Sequence, residues 1–264
     1  MIYLNNKKVQ IKKFPNGEAL IDSESLVINS YDNEIKIKFE SDEDITHLIF
    51  LKGHLDELNK KCSLIIPYMP YSRMDRTEGM TVFTLKHLCR LINSLNFERV
   101  TVYEPHSEVS VALLDRVKVV NMSQALTKEL LKNLNSEDDI YLVYPDAGAA
   151  KRYEKQIEHE MVLTANKERD FKTGRIKSLK INGEVSSKAF KAVIVDDLCS
   201  KGGTFILTAE ELKKLGAKEI YLVVTHCEDT IFEGDILKTD LIQEVFTTNS
   251  ILSKSHEKIR IHEI

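Results

Sequence analysis

The sequence predicts an α/β fold with largely parallel sheets, and three observations support this prediction. Short apolar runs, such as those at residues 64–67 and 192–197, have the length of buried strands. A segment with apolar residues at helical spacing, residues 82–95, lies between such runs. The 10 glycines and 5 prolines among 264 residues are too few for a collagen-like or linker-rich chain. Strands that alternate with helices indicate a sheet of parallel strands.

The first half of the chain begins with alternating apolar residues in IKIKF, residues 35–39, which predict a half-buried strand. The acidic residues that follow, 40–44, predict a solvated turn. Apolar runs and helical periodicity then predict a strand at 64–67, a helix at 82–95, and strands at 99–105 and 117–121.

The second half repeats this succession. Ser123 is a plausible N-cap for a helix through Leu134. Two acids end the strand at 192–197, and a glycine loop at 200–204 opens a helix that reaches about Gly216. The other predicted elements are strands at 140–146, 161–165, 219–226, 242–249 and 258–264, a helix at 147–155, and a basic polar stretch at 166–173. The two successions predict two lobes, 1–121 and 122–264, and a single doubly wound sheet is the alternative.

Composition excludes several classes of protein. The 37 basic and 41 acidic residues give a net charge of −4, so the overall basic surplus of a nucleic-acid binder is absent. No apolar run approaches the roughly 20 residues of a membrane span, and the first residues lack the apolar core of a signal peptide. We therefore expect a cytoplasmic protein that binds neither nucleic acid nor membrane. Four widely spaced cysteines predict neither a zinc site nor a disulfide framework: Cys62, Cys89, Cys199 and Cys227.

The most informative segment is VIVDDLCSKGGT, residues 193–204, in which a strand leads through two acids into a glycine loop and a helix. Backbone N–H groups of such a loop bind phosphate, and the positive end of the helix favours its charge. Asp196 and Asp197 would repel a phosphate but suit the hydroxyl groups of a ribose. The pattern therefore predicts a site for a ribose 5-phosphate group. An ordinary strand-to-helix turn is the alternative.

This segment resembles the ribose-phosphate loop of type I phosphoribosyltransferases and of ribose-phosphate pyrophosphokinases (PRPP synthetases). Further motifs are similar to the pyrophosphokinases alone, and they occur in the family order: KFPNGE (13–18), IIPYMPYSRMDR (65–76), YEPHSE (103–108), YPDAGAAKR (144–152) and NKERD (166–170). The resemblance implies an α/β fold of two tandem type I phosphoribosyltransferase-like lobes with mostly parallel sheets. The N-terminal lobe would bind ATP and the C-terminal lobe the ribose phosphate.

The resemblance also implies an activity. Enzymes of this family transfer the β,γ-diphosphoryl group of ATP to the C1 hydroxyl of ribose 5-phosphate and release AMP. The cofactor implied is Mg²⁺, the partners are ATP and a ribose phosphate, and a homo-oligomer of at least two copies is expected. Such chemistry depends on positioning and on cations that stabilise developing charge.

Residue roles follow from the same resemblance. Lys167 and Arg169 would be the catalytic cations, and His106 and Asp146 the metal-binding residues. The residues implied in ATP binding are Phe14, Asn16, Glu18, Arg73, Asp75 and His106. The residues implied in acceptor binding are Asp146, Asp196, Asp197, Ser200, Lys201, Gly202, Gly203 and Thr204.

Each role has a structural alternative. The basic residues around Lys167 could form a solvated turn, and Arg73 with Asp75 a surface ion pair. Residues 14–18 contain Pro-Asn-Gly, which forms hairpin turns by itself, and Asp146 could be a helix N-cap. A lone histidine such as His106 is usually structural.

Three residues depart from the family pattern. Related enzymes usually have an acid at position 200 and threonine at 201, where this chain has Ser200 and Lys201, and a glutamine at the position of Met74. Lys201 adds a positive charge that could bind a second phosphate, so ADP-ribose is an alternative acceptor. Alternative functions are a phosphoribosyltransferase that consumes PRPP and a non-catalytic PRPP-synthetase-associated regulator.

Overall fold

The computed structural model describes residues 1–77, 79–134, 138–169 and 176–264, apart from the side chains of residues 168, 169, 176 and 177. The chain divides into two compact units, Met1–Val120 and Asn121–Ile264. Within these described residues, no helix has the length and apolar character required to cross a bilayer.

The first unit contains a sheet in the order β2-β1-β5-β6-β7-β8 and a separate hairpin, β3-β4. Strands β5 to β8 are parallel, whereas β1 is antiparallel to both of its neighbours. In chain order the elements are β1 (Ile2–Leu4), β2 (Lys7–Lys8), β3 (Ile11–Lys13), β4 (Ala19–Ile21), β5 (Asp32–Ile37), α1 (Glu43–Glu57), β6 (Lys61–Ile66), α2 (Thr84–Ser94), β7 (Val100–Tyr103), α3 (Glu108–Leu113) and β8 (Val117–Val120).

The predicted solvated turn at residues 40–44 is wrong at its C-terminal end, because α1 begins at Glu43. Asp44 is 7% exposed and accepts hydrogen bonds from the backbone N–H groups of Glu40, at 2.8 Å, and Ser41, at 3.2 Å. Its carboxylate therefore satisfies backbone donors where the chain enters the helix, which is a capping role that an acidic run conceals.

The second unit contains a sheet in the order β11-β10-β9-β12-β13-β14-β15. Strands β10, β9, β12, β13, β14 and β15 are parallel, and only β11 of the described strands runs antiparallel, paired with β10. In chain order the elements are α4 (Met122–Asn133), β9 (Ile140–Tyr144), α5 (Ala147–Tyr153), β10 (Val162–Arg169), β11 (Ile176–Asn182), β12 (Phe190–Cys199), α6 (Gly203–Lys214), β13 (Ala217–Cys227), β14 (Glu244–Thr248) and β15 (Ile259–His262).

Strand β12 is buried on both faces, and its alternate residues pack against different helices. Ala192 and Ile194 belong to a core cluster with Phe205 and Ala209 of α6. Val193 and Val195 belong to another cluster, with Ala149 and Tyr153 of α5. Because successive side chains of a strand point to opposite faces, Val193 and Val195 face α5, whereas Ala192 and Ile194 face α6.

For the second unit, one prediction and one alternative are wrong in detail. Ser123 is not the N-cap of α4, because Asn121 occupies that position and Ser123 lies fully buried inside the helix. The alternative of a solvated turn around Lys167 is wrong as far as Arg169, because β10 continues through these residues and pairs with β11. Antiparallel pairing satisfies the backbone of that stretch even though its sequence lacks apolar alternation.

Candidate functional site

The candidate site lies at the carboxyl ends of β9 and β12, where the strand order reverses. From β9 the chain moves to β10 on one side and later to β12 on the other. In open parallel sheets such a switch point leaves a crevice outside the strand ends, where ligands bind. Asp146 follows β9, and Asp196 and Asp197 lie near the end of β12, so all three predicted acceptor-binding acids lie at this edge.

Asp146 combines a structural and an electrostatic role. It is the N-cap of α5, and its Oδ1 accepts a hydrogen bond from the Ala149 N–H at 2.9 Å. Its Oδ2 lies 3.1 Å from Lys167 Nζ, and the Lys167 side chain is only 9% exposed. Burial acts to raise the pKa of Asp146, but the Ala149 N–H and the Lys167 ammonium outweigh it and hold that pKa below its ordinary value. Asp146 is therefore a helix N-cap, as the structural alternative holds, and it also forms an ion pair with Lys167.

The two consecutive acids of β12 lie in different surroundings. Asp197 has a side chain that is 6% exposed, with its Oδ1 2.8 Å from Arg152 Nη1. Asp196 is half-buried, and its Oδ1 accepts a hydrogen bond from the Asp197 N–H at 2.9 Å. Burial, and next the negative charge of Asp197, raise the pKa of Asp196 well above its ordinary value. The pair therefore consists of an ion-paired acid and an acid that resists ionisation.

The glycine loop after β12 has the backbone that a phosphate cradle needs. Gly202 precedes α6 with φ of +80°, in the left-handed region that favours glycine. A Cβ there would lie 2.8 Å from the Ile236 side chain, and a Cβ on Gly234 would collide with the Lys201 carbonyl oxygen. The loop is thus held closely by the segment that follows β13. Gly203 and Thr204 open α6, where unpaired backbone N–H groups favour an anion.

Lys201 and Ser200 occupy the positions that depart from the family pattern. Lys201 is exposed, and its Nζ lies 2.9 Å from Glu233 Oε2, in an ion pair of which both side chains are 63% exposed. Lys201 lowers the pKa of Glu233. Ser200 is half-buried at the start of the loop. The positive charge beside the cradle is therefore already paired within the protein.

The first unit carries the predicted ATP-binding residues on a hairpin and on loops. The Gly17 N–H donates to the Phe14 carbonyl at 2.8 Å, and the Phe14 N–H donates to the Glu18 carbonyl at 2.9 Å. Gly17 has φ of +91°, and the Glu18 N–H donates to Asn16 Oδ1 at 3.2 Å. Residues 14–18 therefore form the hairpin turn that Pro-Asn-Gly predicts. Phe14, at the tip, is 50% exposed.

The other predicted residues of this unit follow adjacent parallel strands. Arg73 and Asp75 lie in the loop after β6, and His106 lies between β7 and α3. Arg73 is exposed, whereas Asp75 and His106 are half-buried. Since β6 and β7 are parallel neighbours, both loops leave the same edge of the sheet.

The residues present fit a magnesium ion that arrives with a nucleotide. Among the described residues, no three His, Cys, Asp or Glu side chains converge on a point that could hold a metal. Mg²⁺ is commonly held by one or two carboxylates together with substrate phosphates, so such a cluster is not required. Asp146 is a suitable oxygen ligand, because its side chain is 46% exposed.

The structure thus brings together the predicted residues of the second unit: Asp146, Lys167, Asp196, Asp197 and the 200–204 loop. The Arg169 side chain lies outside the described residues, although its backbone ends β10. One residue with a place in this site, Arg152, has no predicted role. It stands at the end of the YPDAGAAKR motif, and its position on α5 opposite Asp197 is a tertiary contact that a linear pattern does not reveal.

Comparison with known proteins identifies the family. The ribose-phosphate pyrophosphokinase of Sulfurisphaera tokodaii is 30% identical over 254 residues, which cover 92% of this chain and 84% of that protein. The chain belongs to the ribose-phosphate pyrophosphokinase family. The ribose-phosphate pyrophosphokinase of Thermococcus kodakarensis is 29% identical over 256 residues, which cover 92% of this chain and 86% of that protein. A family profile described as "Phosphoribosyl synthetase-associated domain" matches residues 149–264.

The fold agrees with this ribose-phosphate pyrophosphokinase assignment. The crystal structure of phosphoribosylpyrophosphate synthetase from Mycobacterium smegmatis matches 97% of this chain and 86% of that chain with a TM-score of 0.78. At 17% sequence identity, that likeness concerns the fold alone. The predicted α/β fold with mostly parallel sheets is confirmed, and the family relationship makes the protein a diphosphokinase enzyme.

Proposed function

We propose that this pyrophosphokinase transfers the β,γ-diphosphoryl group of ATP to the C1 hydroxyl of ribose 5-phosphate, releasing AMP and forming PRPP. The observation that carries the proposal is the Lys167–Asp146 ion pair at the switch point of the sheet, in which the Lys167 side chain is only 9% exposed. Two acids and a glycine loop lie at the end of the neighbouring strand β12. The curated relatives named ribose-phosphate pyrophosphokinase support the choice of substrates.

The acceptor would bind with its 5-phosphate in the glycine loop and its ring hydroxyls near the acids of β12. Backbone N–H groups from Gly202 to Thr204 suit a phosphate at the positive end of α6. A carboxyl group near the strand end suits a hydroxyl donor. This arrangement would leave the C1 hydroxyl as the reacting group.

The chemical step replaces one oxygen–phosphorus bond with another. The oxygen of the C1 hydroxyl forms a bond to the β-phosphorus and loses its proton, which passes to solvent. The bond from that phosphorus to the oxygen bridging the α-phosphorus breaks, and AMP departs with that oxygen. Negative charge grows on the bridging oxygen and on the transferred group. The Lys167 ammonium would stabilise this charge strongly, because its low exposure limits screening by water. Arg169 would be a second cation of the same kind.

Donor binding would fall to the first unit. We propose that Phe14, Asn16 and Glu18 contact the adenine, with Phe14 from a neighbouring copy of the chain stacking on the base. Arg73 would contact the triphosphate beside Asp75. Phe14 is 50% exposed, which suits a ring that becomes covered only when adenine binds. An oligomer of at least two copies and a cytoplasmic location stay predictions.

Mg²⁺ is part of the same proposal. When bound with ATP it would neutralise phosphate charge and orient the diphosphoryl group. Asp146 would hold it through oxygen, and His106 stays a predicted metal-binding residue of the first unit. Asp146 would then share its charge between the metal and Lys167.

The experiment supplies ATP and Mg²⁺ with one acceptor at a time and measures AMP. We expect AMP and PRPP with ribose 5-phosphate. AMP with ADP-ribose and none with ribose 5-phosphate would overturn the acceptor assignment. The Lys201–Glu233 ion pair is exposed and therefore weak, so the choice between the two acceptors depends on this assay.

The same assay separates the remaining functions. A phosphoribosyltransferase would consume PRPP in the presence of a nucleobase and release no AMP from ATP. A regulatory protein without catalysis would bind ATP and leave it intact. Either result would reject the proposed transfer.

A further inference from the structure

Two buried thiols of the second unit, Cys199 and Cys227, are neighbours across strands β12 and β13. These strands are parallel, and the two cysteines are direct partners in their register. Adjacent strands lie about 4.8 Å apart, within the roughly 4.4–6.8 Å that separate the Cα atoms of disulfide-bonded cysteines. Both side chains belong to the same core cluster. They interact directly, because the Cys227 thiol is the largest influence that raises the pKa of Cys199. The pair therefore has the backbone spacing of a disulfide.

Both cysteines stand at the ends of their strands, next to the phosphate cradle. Strand β12 ends at Cys199, and the 200–204 loop follows directly. Strand β13 ends at Cys227, and the next N–H group, that of Glu228, donates to the Cys199 carbonyl at 2.8 Å. The pair therefore lies where the glycine loop meets the segment that supports it.

The position of the pair also determines how an oxidant reaches it. Neither thiol is exposed, so both react only when the structure opens locally. Strand ends open more readily than the centre of a sheet, and hydrogen peroxide is a small oxidant. Cys62 and Cys89 of the first unit are buried as well, but Cys62 is the register partner of Asn33 and Cys89 lies within α2. They provide an internal comparison.

We propose that Cys199 and Cys227 form a reversible disulfide when hydrogen peroxide oxidises the protein, and that this bond weakens acceptor binding by shifting the glycine loop. The first part stands on the register of β12 and β13. The second part rests on the proposed function, since it concerns the site for ribose 5-phosphate. Disulfides that form transiently and respond to redox conditions are the kind found in reducing compartments.

The oxidation consumes one hydrogen peroxide and produces two waters. One thiol loses its proton, its sulfur attacks a peroxide oxygen, the O–O bond breaks, and the departing hydroxide takes up a proton to become water. The sulfur of the other cysteine then attacks the sulfenic acid, the S–O bond breaks, the S–S bond forms, and the second water departs. The two sulfurs together lose two electrons, which reduce the peroxide. A dithiol reductant restores both thiols by exchange.

The effect on the acceptor site follows from the close packing around the loop. An S–S bond brings two sulfurs closer than a contact between thiols does, so the ends of β12 and β13 must shift. A Cβ on Gly202 would lie 2.8 Å from the Ile236 side chain, and a Cβ on Gly234 would collide with the Lys201 carbonyl oxygen. Such packing leaves little room to absorb a shift, which therefore reaches the backbone N–H groups that would bind the 5-phosphate.

The test treats the reduced protein with hydrogen peroxide, blocks the remaining thiols with a maleimide after unfolding, and maps the peptides by mass spectrometry without reduction. Calorimetry measures the Kd for ribose 5-phosphate before oxidation, after it, and after treatment with dithiothreitol. The variants are Cys227→Ala, which breaks the pair, and the matched control Cys62→Ala/Cys89→Ala, which keeps only the pair. Thermal unfolding shows whether each variant is folded, and the peptide map of the wild type needs no variant.

We expect one main product, in which the peptides that contain Cys199 and Cys227 are joined, while Cys62 and Cys89 carry the maleimide. Oxidation should raise the Kd for ribose 5-phosphate by about tenfold, and dithiothreitol should reverse the rise. The Cys62→Ala/Cys89→Ala variant should respond as the wild type does. The Kd of Cys227→Ala should not respond to peroxide, which also shows that oxidation of other residues is not the cause.

Maleimide on all four cysteines after oxidation, a sulfinic acid at Cys199 without a joined peptide, or links that involve Cys62 or Cys89 would overturn the disulfide. A joined peptide with an unchanged Kd would overturn the effect on the acceptor. Failure of the proposed function is a different result, namely no AMP release by the reduced wild type with ATP, Mg²⁺ and ribose 5-phosphate, because the peptide map does not depend on activity.

Discussion

The two units are built from similar parts but differ in how they hold their predicted site residues. In the second unit the strand order reverses beside β9, and side chains from β10, α5 and β12 pair with one another at the strand ends. In the first unit the four parallel strands follow one another in the order β5-β6-β7-β8, and the strand order does not reverse among these four. Its predicted residues lie on a hairpin tip and in loops. The reversal in strand order therefore places paired polar side chains at the strand ends of the second unit, whereas the predicted residues of the first unit lie on a hairpin and in loops that follow a sequential set of strands.

The largest effect expected from this comparison is that of Lys167→Ala. Removal of the nearly buried ammonium deprives the transition state of a fixed positive charge, so kcat should fall by a factor of roughly 10³ or more. Steady-state AMP release with saturating ATP and ribose 5-phosphate measures this fall. Lys180→Ala is the control, because Lys180 is an exposed lysine on the adjacent strand β11.

If Lys167→Ala raises the KM values and leaves kcat unchanged, the catalytic role of Lys167 is contradicted. The residue would then bind substrate in the ground state, and the second unit would be preformed for binding rather than for chemistry. Equal losses in Lys167→Ala and Lys180→Ala would point to a general loss of positive charge.

The sequence predicts the fold well where apolar patterning is strong. The runs at residues 64–67 and 192–197 are buried strands, and the periodicity at 82–95 is helix α2. Prediction fails where polar residues form regular structure. The acidic residues at the start of α1 conceal a helix, and the basic residues after Ala165 conceal the end of β10. In both places backbone pairing decides the structure, and side-chain polarity is a poor guide to it.

The site shows the same division. Asp146, Lys167 and the 200–204 loop stand out in the sequence because their motifs are local. The unequal surroundings of Asp196 and Asp197 do not, because they depend on tertiary contacts such as the one between Asp197 and Arg152 of α5, which lies far from it in sequence. Identical residue types in adjacent positions give no hint of that difference.

The second prediction concerns the support of the glycine loop. Gly234→Ala should raise the KM for ribose 5-phosphate by about tenfold, because the added Cβ would collide with the Lys201 carbonyl oxygen and shift the cradle. The KM for ATP should stay near its wild-type value. Gly53→Ala in α1 is the matched control, since a Cβ there meets nothing within 4 Å and alanine favours a helix. An unchanged acceptor KM in Gly234→Ala would show that the loop adjusts freely.

The third prediction uses the buried thiols, two in each unit, to compare how the units open. Burial raises the pKa of Cys62 to about 12 and that of Cys89 to about 11, and the hydrogen bond to Cys227, with burial, raises the pKa of Cys199. All four should therefore react with a thiol reagent only through opening of the structure. Ribose 5-phosphate at ten times its Kd should slow labelling in the second unit by about tenfold.

Mass spectrometry of the labelled peptides measures this protection site by site. Cys62 and Cys89 should label at the same rate with and without ribose 5-phosphate. Equal protection of all four thiols would mean that the two units open together. The difference in strand order between the units would then have no counterpart in their stability.

The smallest effect expected is that of Gly17→Ala at the hairpin of the first unit. Gly17 has φ of +91°, and a Cβ there would meet nothing within 4 Å, so the substitution strains the backbone without a steric collision. Such strain costs about 1 kcal/mol, which corresponds to roughly a fivefold rise in the KM for ATP if the tip must keep its shape to contact adenine. The kcat should not change, because the hairpin carries none of the cations. Gly17→Asn should restore most of the affinity, since asparagine adopts the left-handed conformation more readily than alanine. If Gly17→Ala lowers kcat and leaves the KM for ATP unchanged, the hairpin takes part in the chemical step and the two units are less distinct than their architecture indicates.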